Sequence, residues 1–284
     1  MVAGSGVGNG EVLSMQPDQI ESHAGGRLLL SRDGALARII FNKPERMNAM
    51  SLDMWEALHA VLEGLAVDDS VRVVVLSGAG DKAFVSGADI SEFETQRSSE
   101  DSVQRYNAIS EASDAALYSF PKPTIAEIKG YCIGGGMGLA VACDFRICAD
   151  DARLGITAGR LGLGYNYNGV HKLVELAGPS VAARILYAAE LFPADQALAM
   201  GLVTQVVTRD VLSSTVNDLA QQIAGNAPLT VMTAKAAIRS IGSADGVPQK
   251  SDIDALVAQC FASEDYAEGR RAFTEKRKPV FKGR

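Results

Sequence analysis

Residues 130–144 read GYCIGGGMGLAVACD, an apolar run that enters Gly134, Gly135 and Gly136 and leaves as a segment of helical character. Glycines at such a junction serve one of two ends. They let a helix pack closely on a strand, or they open the first N–H groups of the helix to a ligand. Those N–H groups have no partner within the helix, and its dipole favours negative charge beside them.

The flanking sequence places the junction in an α/β chain. PTIAEIKG ends at Gly130 and FRICA follows Asp144, both with the composition of buried strands; VRVVVLSG at 71–78 is a third. Upstream, RLLLSRDGALARIIFN predicts a hairpin turning at Asp33-Gly34. Ser51 is placed to cap a helix with Met54, Leu58, Val61, Leu62 and Leu65 on one face; Trp55 and His59 on that helix read as packing or surface residues. Repeated β-then-α units with right-handed crossovers are expected. FPADQALAMGLV predicts a helix between Pro193 and Gly201, VTQVV a last strand, and three helices follow near 210–225, 228–241 and 250–262. Residues 1–25 are rich in Gly, Ser and polar residues without period, and are expected to form a disordered tail.

Composition narrows the function. The chain has 284 residues with 27 Lys+Arg against 34 Asp+Glu, a formal charge of −7, and its basic residues are scattered. A nucleic-acid partner is not expected. Cys132, Cys143, Cys148 and Cys260 form no C-x-x-C pair and have no histidine at ligand spacing, so reduced core thiols and no metal are expected. No apolar run reaches the roughly 18 residues of a membrane span, and the N-terminus lacks the pattern of a secretory signal. A cytoplasmic protein is expected.

Three glycine-containing loops remain for a ligand: AFVSGADI at 83–90, GYCIGGGMG at 130–138 and GRLGLGYNYNG at 159–169. None carries Gly-Lys-Ser/Thr or the full G-x-G-x-x-G order, which disfavours nucleotide phosphates. Two N–H donors from separate loops would instead make an oxyanion hole, a large term in acyl chemistry.

From about Arg27 to the C-terminus the chain resembles the enoyl-CoA hydratase/isomerase, or crotonase, family. The resemblance rests on NKPERMNAMS at 42–51, AFVSGADI at 83–90, KPTIAEIKGYCIGGGMGLAVACDFRICAD at 122–150 and EKRKPVFKG at 275–283. It implies a crotonase-like spiral of ββα units over 26–205 and a C-terminal helical trimerisation region over 206–284, assembled as a homotrimer or hexamer. It also implies acyl-CoA substrates, with coenzyme A as part of the thioester and no permanently bound cofactor. Family correspondence assigns the oxyanion donors to the Ser86 and Gly135 N–H groups. The CoA path falls on Ser86, Gly87, Ala88, Asp89 and Ile90, joined by Arg46 and Met47 and by Lys276 near the C-terminus. Asp89 and Glu92 read otherwise as solvated surface, and Asp144 as a structural residue.

The hydratases of the family carry two glutamates that position water and move its proton. Here the corresponding positions are Gly138 and Ala158. General acid–base catalysis is worth about 10²–10⁴-fold, so an ordinary hydratase reaction is not expected. GLGYNYNGVHKL and AFTEKRKPVFKG resemble the methylmalonyl-CoA decarboxylase branch, in which departing CO₂ leaves the enolate without a base. Tyr165 would then donate the proton; Asn166, Asn168 and His171 share its loop. A non-catalytic acyl-CoA-binding protein that kept the fold is the alternative from another class.

Overall fold

A computed structural model describes residues 20–89, 100–242 and 248–284, the side chains of 100–103 excepted. The strands are β1 (Ile20–His23), β2 (Leu28–Asp33), β3 (Leu36–Phe41), β4 (Val73–Gly78), β5 (Ala83–Val85), β6 (Thr124–Ile128), β7 (Tyr131–Ile133), β8 (Phe145–Ala149), β9 (Arg153–Gly155), β10 (Phe192–Pro193) and β11 (Gln205–Val207). The helices are α1 (Leu52–Val67), α2 (Glu100–Tyr118), α3 (Gly135–Ala142), α4 (Tyr167–Ala188), α5 (Ala194–Ala199), α6 (Leu212–Ala224), α7 (Pro228–Gly242), α8 (Lys250–Ala262) and α9 (Glu264–Glu275).

Two sheets divide the strands. A seven-stranded sheet runs β1-β2-β3-β4-β6-β8-β11 and a four-stranded sheet runs β10-β9-β7-β5. Each pass of the chain gives one longer strand to the first and one short strand to the second: β4 then β5, β6 then β7, β8 then β9. Within each sheet these strands are parallel. The ends of β5 and β7 are thereby neighbours, and the loops leaving them meet.

Alternation along β4 sorts its side chains between two cores. Val74 and Leu76 join the main core with Met54, Leu58 and Leu62 of α1, while Val73 and Val75 pack with Ile125 and Ile147 against Leu212, Val216 and Ala220 of α6. The buried thiols Cys132, Cys143 and Cys148 belong to the main core, and burial pushes the Cys143 thiol up to about 12.

The hairpin, α1, β4, β6 and β8 stand where the periodicity predicts them. Differences occur where no period was legible. Residues 1–19 of the expected tail lie outside the described residues, but Ile20–His23 form β1, pairing from Ile20 with Ser31 to His23 with Leu28. Its side chains are mostly exposed, so backbone pairing carries it without an apolar signature. Ser51 precedes α1 as expected, yet its hydroxyl donates to Asp53 Oδ1 at 2.5 Å and makes no cap bond to the helix. Helix α6 packs on the large sheet through Leu212, Val216 and Ala220. Helix α9 was not anticipated, although Ser263 accepts the Tyr266 N–H at 3.1 Å as its cap. Among the described residues no helix is long and apolar enough to cross a membrane.

Candidate active site

The three consecutive glycines have separate tasks. Gly134 takes φ 55° and ψ −114°, a backbone conformation costly for any other residue, and donates to the Gly155 carbonyl at 2.9 Å. A Cβ on Gly136 would stand 2.1 Å from the Val85 carbonyl oxygen, so this position seats α3 on β5. A Cβ on Gly135 would meet the Trp55 ring at 3.4 Å and the Gly87 carbonyl carbon at 3.9 Å. Close packing and an exposed helix start thus coexist: Gly136 serves the first, and Gly135 begins α3 with an N–H that has no partner in the helix.

The facing loop corrects one expected donor. The Ser86 N–H donates to the Met47 carbonyl at 3.1 Å, so it is already engaged. Two residues on, Met50 N–H donates to the Gly87 carbonyl at 2.8 Å and Asp89 N–H to the Met50 carbonyl at 2.9 Å. Extended backbone alternates the direction of its polar groups, so the intervening Ala88 N–H points away from Met50. It makes no backbone hydrogen bond to a described residue. The Gly87–Ala88 peptide is the one lying against Gly135, with Gly87 at φ 113°. Among the described residues, the Ala88 N–H beside Gly135 has no backbone partner, whereas the Ser86 N–H is bonded to Met47.

These glycines open onto a cavity of about 110 Å³ whose walls include Gly135, Gly138, Trp55, Tyr165, Asp114 and Lys172. A Cβ on Gly138 would stand 3.4 Å from the Tyr165 hydroxyl and 4.0 Å from Asp114 Oδ1. Both groups converge on the space that a side chain at 138 would enter. Tyr165 is admitted by Gly169, where a Cβ would come within 2.5 Å of its ring, and Asn166 fixes the turn by accepting the Gly169 N–H at 2.7 Å. Burial raises the Tyr165 pKa above the ordinary phenol value, with Asp114 adding to the effect. Trp55 is held by its indole N–H, which donates to the Tyr106 hydroxyl at 3.0 Å.

Asp114, on α2, pairs with the Lys172 ammonium of α4. Burial raises its carboxyl pKa, and Lys172 opposes that shift. Nothing in the sequence singled out Asp114 or Lys172, and Trp55 read as a packing or surface residue. A lone Asp in a polar helical segment reads as solvated, and only the crossing of α2 with α4 brings it to the cavity.

Other expected site residues distribute unevenly. Arg46 and Met47 form the turn whose carbonyls receive Ser86, the Ser86 hydroxyl standing 3.4 Å from the Arg46 oxygen. Asp89 is buried and paired with Lys43 at 2.5 Å, which corrects its reading as solvated surface and spends its charge. Ile90 and Glu92 lie outside the described residues. Ala158 begins a short 3-10 turn and is not among the described cavity walls. His171 stacks on Tyr167 with ring centroids 6.3 Å apart, and it too is absent from those walls. Lys276 ends α9, and no described hydrogen bond or ion pair joins it to the site. Asp144 holds Lys235 at 2.7 Å and Arg239 at 3.2 Å, a structural cluster as expected.

The sequence pattern of the enoyl-CoA hydratase/isomerase family matches residues 31–284. The chain belongs to the enoyl-CoA hydratase/isomerase family. Among characterised relatives of this family member, the short-chain-enoyl-CoA hydratase of Clostridium acetobutylicum is 33% identical over 258 residues, covering 88% of this chain and 95% of the relative. The crotonyl-CoA hydratase of Syntrophomonas wolfei is 33% identical over 255 residues, covering 89% and 97%. The family member also superposes on the crystal structure of an enoyl-CoA hydratase/carnithine racemase from Magnetospirillum magneticum with a TM-score of 0.86 at 35% identity, covering 94% of this chain and 98% of that one. The spiral of paired strands is thus the crotonase fold.

Proposed function

We propose that this enzyme binds a short acyl-CoA thioester and stabilises its enolate at the thioester oxygen, with the N–H groups of Ala88 and Gly135 as donors. The observation that carries the reading is the approach of the Gly87–Ala88 peptide to Gly135, which lines a cavity of about 110 Å³ together with Tyr165. Donors aimed at developing charge in a water-poor site stabilise the charged intermediate more than the neutral substrate. A small cavity suits a short acyl group, as do the names of the two hydratase relatives. Arg46, Met47, Gly87 and Ala88 are proposed to line the CoA path. Exposed Ile241, Phe261 and Phe273 in the C-terminal helices support assembly as a homotrimer or hexamer.

One observation favours a second reading. The Tyr165 hydroxyl faces a cavity without a glutamate from 138, which suits protonation of an enolate left by loss of CO₂ from a methylmalonyl-type thioester. Incubation with crotonyl-CoA and methylmalonyl-CoA separately, with products followed by mass, decides between them. Gain of water supports hydration and loss of CO₂ supports decarboxylation; turnover of neither removes the enolate reading.

A further inference from the structure

The cavity supplies a carboxylate from an element that the missing glutamates never used. Asp114 Oδ1 stands 4.0 Å, and the Tyr165 hydroxyl 3.4 Å, from the Cβ position of Gly138. Both groups therefore border the space that a side chain at 138 would fill. The second oxygen of Asp114 is held by Lys172, which is only 5% exposed, so the carboxylate is fixed in orientation with one oxygen left to face the cavity. Gly135, whose N–H is the proposed enolate donor, lines the same cavity one helical turn earlier.

We propose that Asp114 is the catalytic base and acid of a hydration, doing from α2 what a glutamate at 138 would do from α3. The proposal rests on the enolate reading above. Asp114 Oδ1 takes a proton from water as the water oxygen bonds to the β-carbon of an enoyl thioester. The π pair of the double bond moves into a new double bond between the α-carbon and the thioester carbon. The carbonyl pair moves onto the oxygen held by Ala88 and Gly135 N–H. The enolate then re-forms the carbonyl as its α-carbon takes the proton from Asp114, which returns to a carboxylate. One water is added and nothing else is consumed. Lys172 favours the ionised form of Asp114 against the burial that opposes it, and the Tyr165 hydroxyl positions the water.

The test follows crotonyl-CoA with the full chain and three variants. Asp114→Asn should lower kcat by about 10²–10⁴-fold, with KM within about threefold because ground-state binding is untouched. Asp114→Asn/Lys172→Gln removes both charges, so an unpaired ammonium cannot be the cause of the loss; it should be as slow as the single variant. Asp114→Asn/Gly138→Glu returns a carboxylate to the same space from α3 and should recover at least about tenfold of the lost rate, a gain that a purely structural Asp114 would not yield. Retention of kcat within about threefold in either variant that lacks a carboxylate overturns the proposal, as does absence of recovery in the third. If the parent enzyme ignores crotonyl-CoA but decarboxylates methylmalonyl-CoA, Asp114 loses this role while the enolate reading stands. If it turns over neither, both fall.

Discussion

The buried Lys172 pairs with the half-buried Asp114, joining α4 to α2 across the cavity wall. Removing one member of such a pair leaves the other desolvated and uncompensated. Lys172→Met should therefore cost about 3–5 kcal/mol of stability, read from the midpoint of urea unfolding. A loss below about 1 kcal/mol, the range of exposed pairs, would contradict the burial of this one.

The same pair sets a pH dependence. Asp114 is faced by Lys172 from α4, by Glu111 on its own helix and by Tyr165 from the loop. Burial raises its pKa above the ordinary 3.8, Lys172 opposes the rise and Glu111 adds to it. A base must be ionised, so kcat/KM for hydration should fall on acidification by about tenfold per pH unit below that raised value. Asp114→Asn should lose this acid limb. Stability has the opposite sign: between 3.8 and the raised value the folded carboxyl holds more proton than the unfolded one. Asp114's contribution to stability therefore declines as pH rises through that window.

Donor identity is open to direct substitution. Ser86→Ala keeps the N–H bonded to Met47 and removes only a hydroxyl 3.4 Å from the Arg46 oxygen, so turnover should stay within about threefold. An amide-to-ester replacement at Ala88 deletes the free donor and should lower kcat by about 10²–10³-fold. An Ala88 ester that kept kcat within about threefold, while an amide-to-ester replacement at Ser86 lost it, would return the role to the Ser86 N–H.

Neighbouring glycines of α3 should respond oppositely to alanine. Gly136→Ala drives a methyl to within 2.1 Å of the Val85 backbone oxygen, which cannot rotate away, and should destabilise by about 1–3 kcal/mol or more. Gly138→Ala places its methyl 3.4 Å from a side-chain hydroxyl in open cavity and should gain up to about 1 kcal/mol of helix propensity. Chemical denaturation of the two variants checks the contrast.

How much of this was legible in sequence depended on whether a signal was periodic or relational. The large sheet announced itself because Val73–Leu76 and Ile125–Ile128 are buried on both faces and β-branched or aliphatic. The small sheet did not, since strands as short as Ala83–Val85 and Tyr131–Ile133 complete no pattern of alternation. Gly135 was identified through its junction, whereas the choice between Ser86 and Ala88 turns on which N–H is taken by Met47 or left by Met50, residues some forty positions upstream. Asp89 read as polar surface and Asp114 carried no signal at all, yet each pairs with a lysine distant in sequence, and of the two only Asp114 faces the cavity.

The pairing of β5 with β7, Ala83 beside Tyr131 and Val85 beside Cys132, has a consequence for how this scaffold can vary. The Ala88 and Gly135 donors leave successive coils of the chain, so their separation is set by the spacing of adjacent strands, about 4.8 Å, and by the few residues after each strand. Helix α2 lies between the two strands in sequence but takes no part in the pairing that spaces the donors. One residue inserted at Gly87 or Gly134 would pull them apart while leaving both sheets intact. Reactivity is anchored in the pitch of the coil, and the excursion between coils, where α2 carries Asp114, is free to choose which proton is moved.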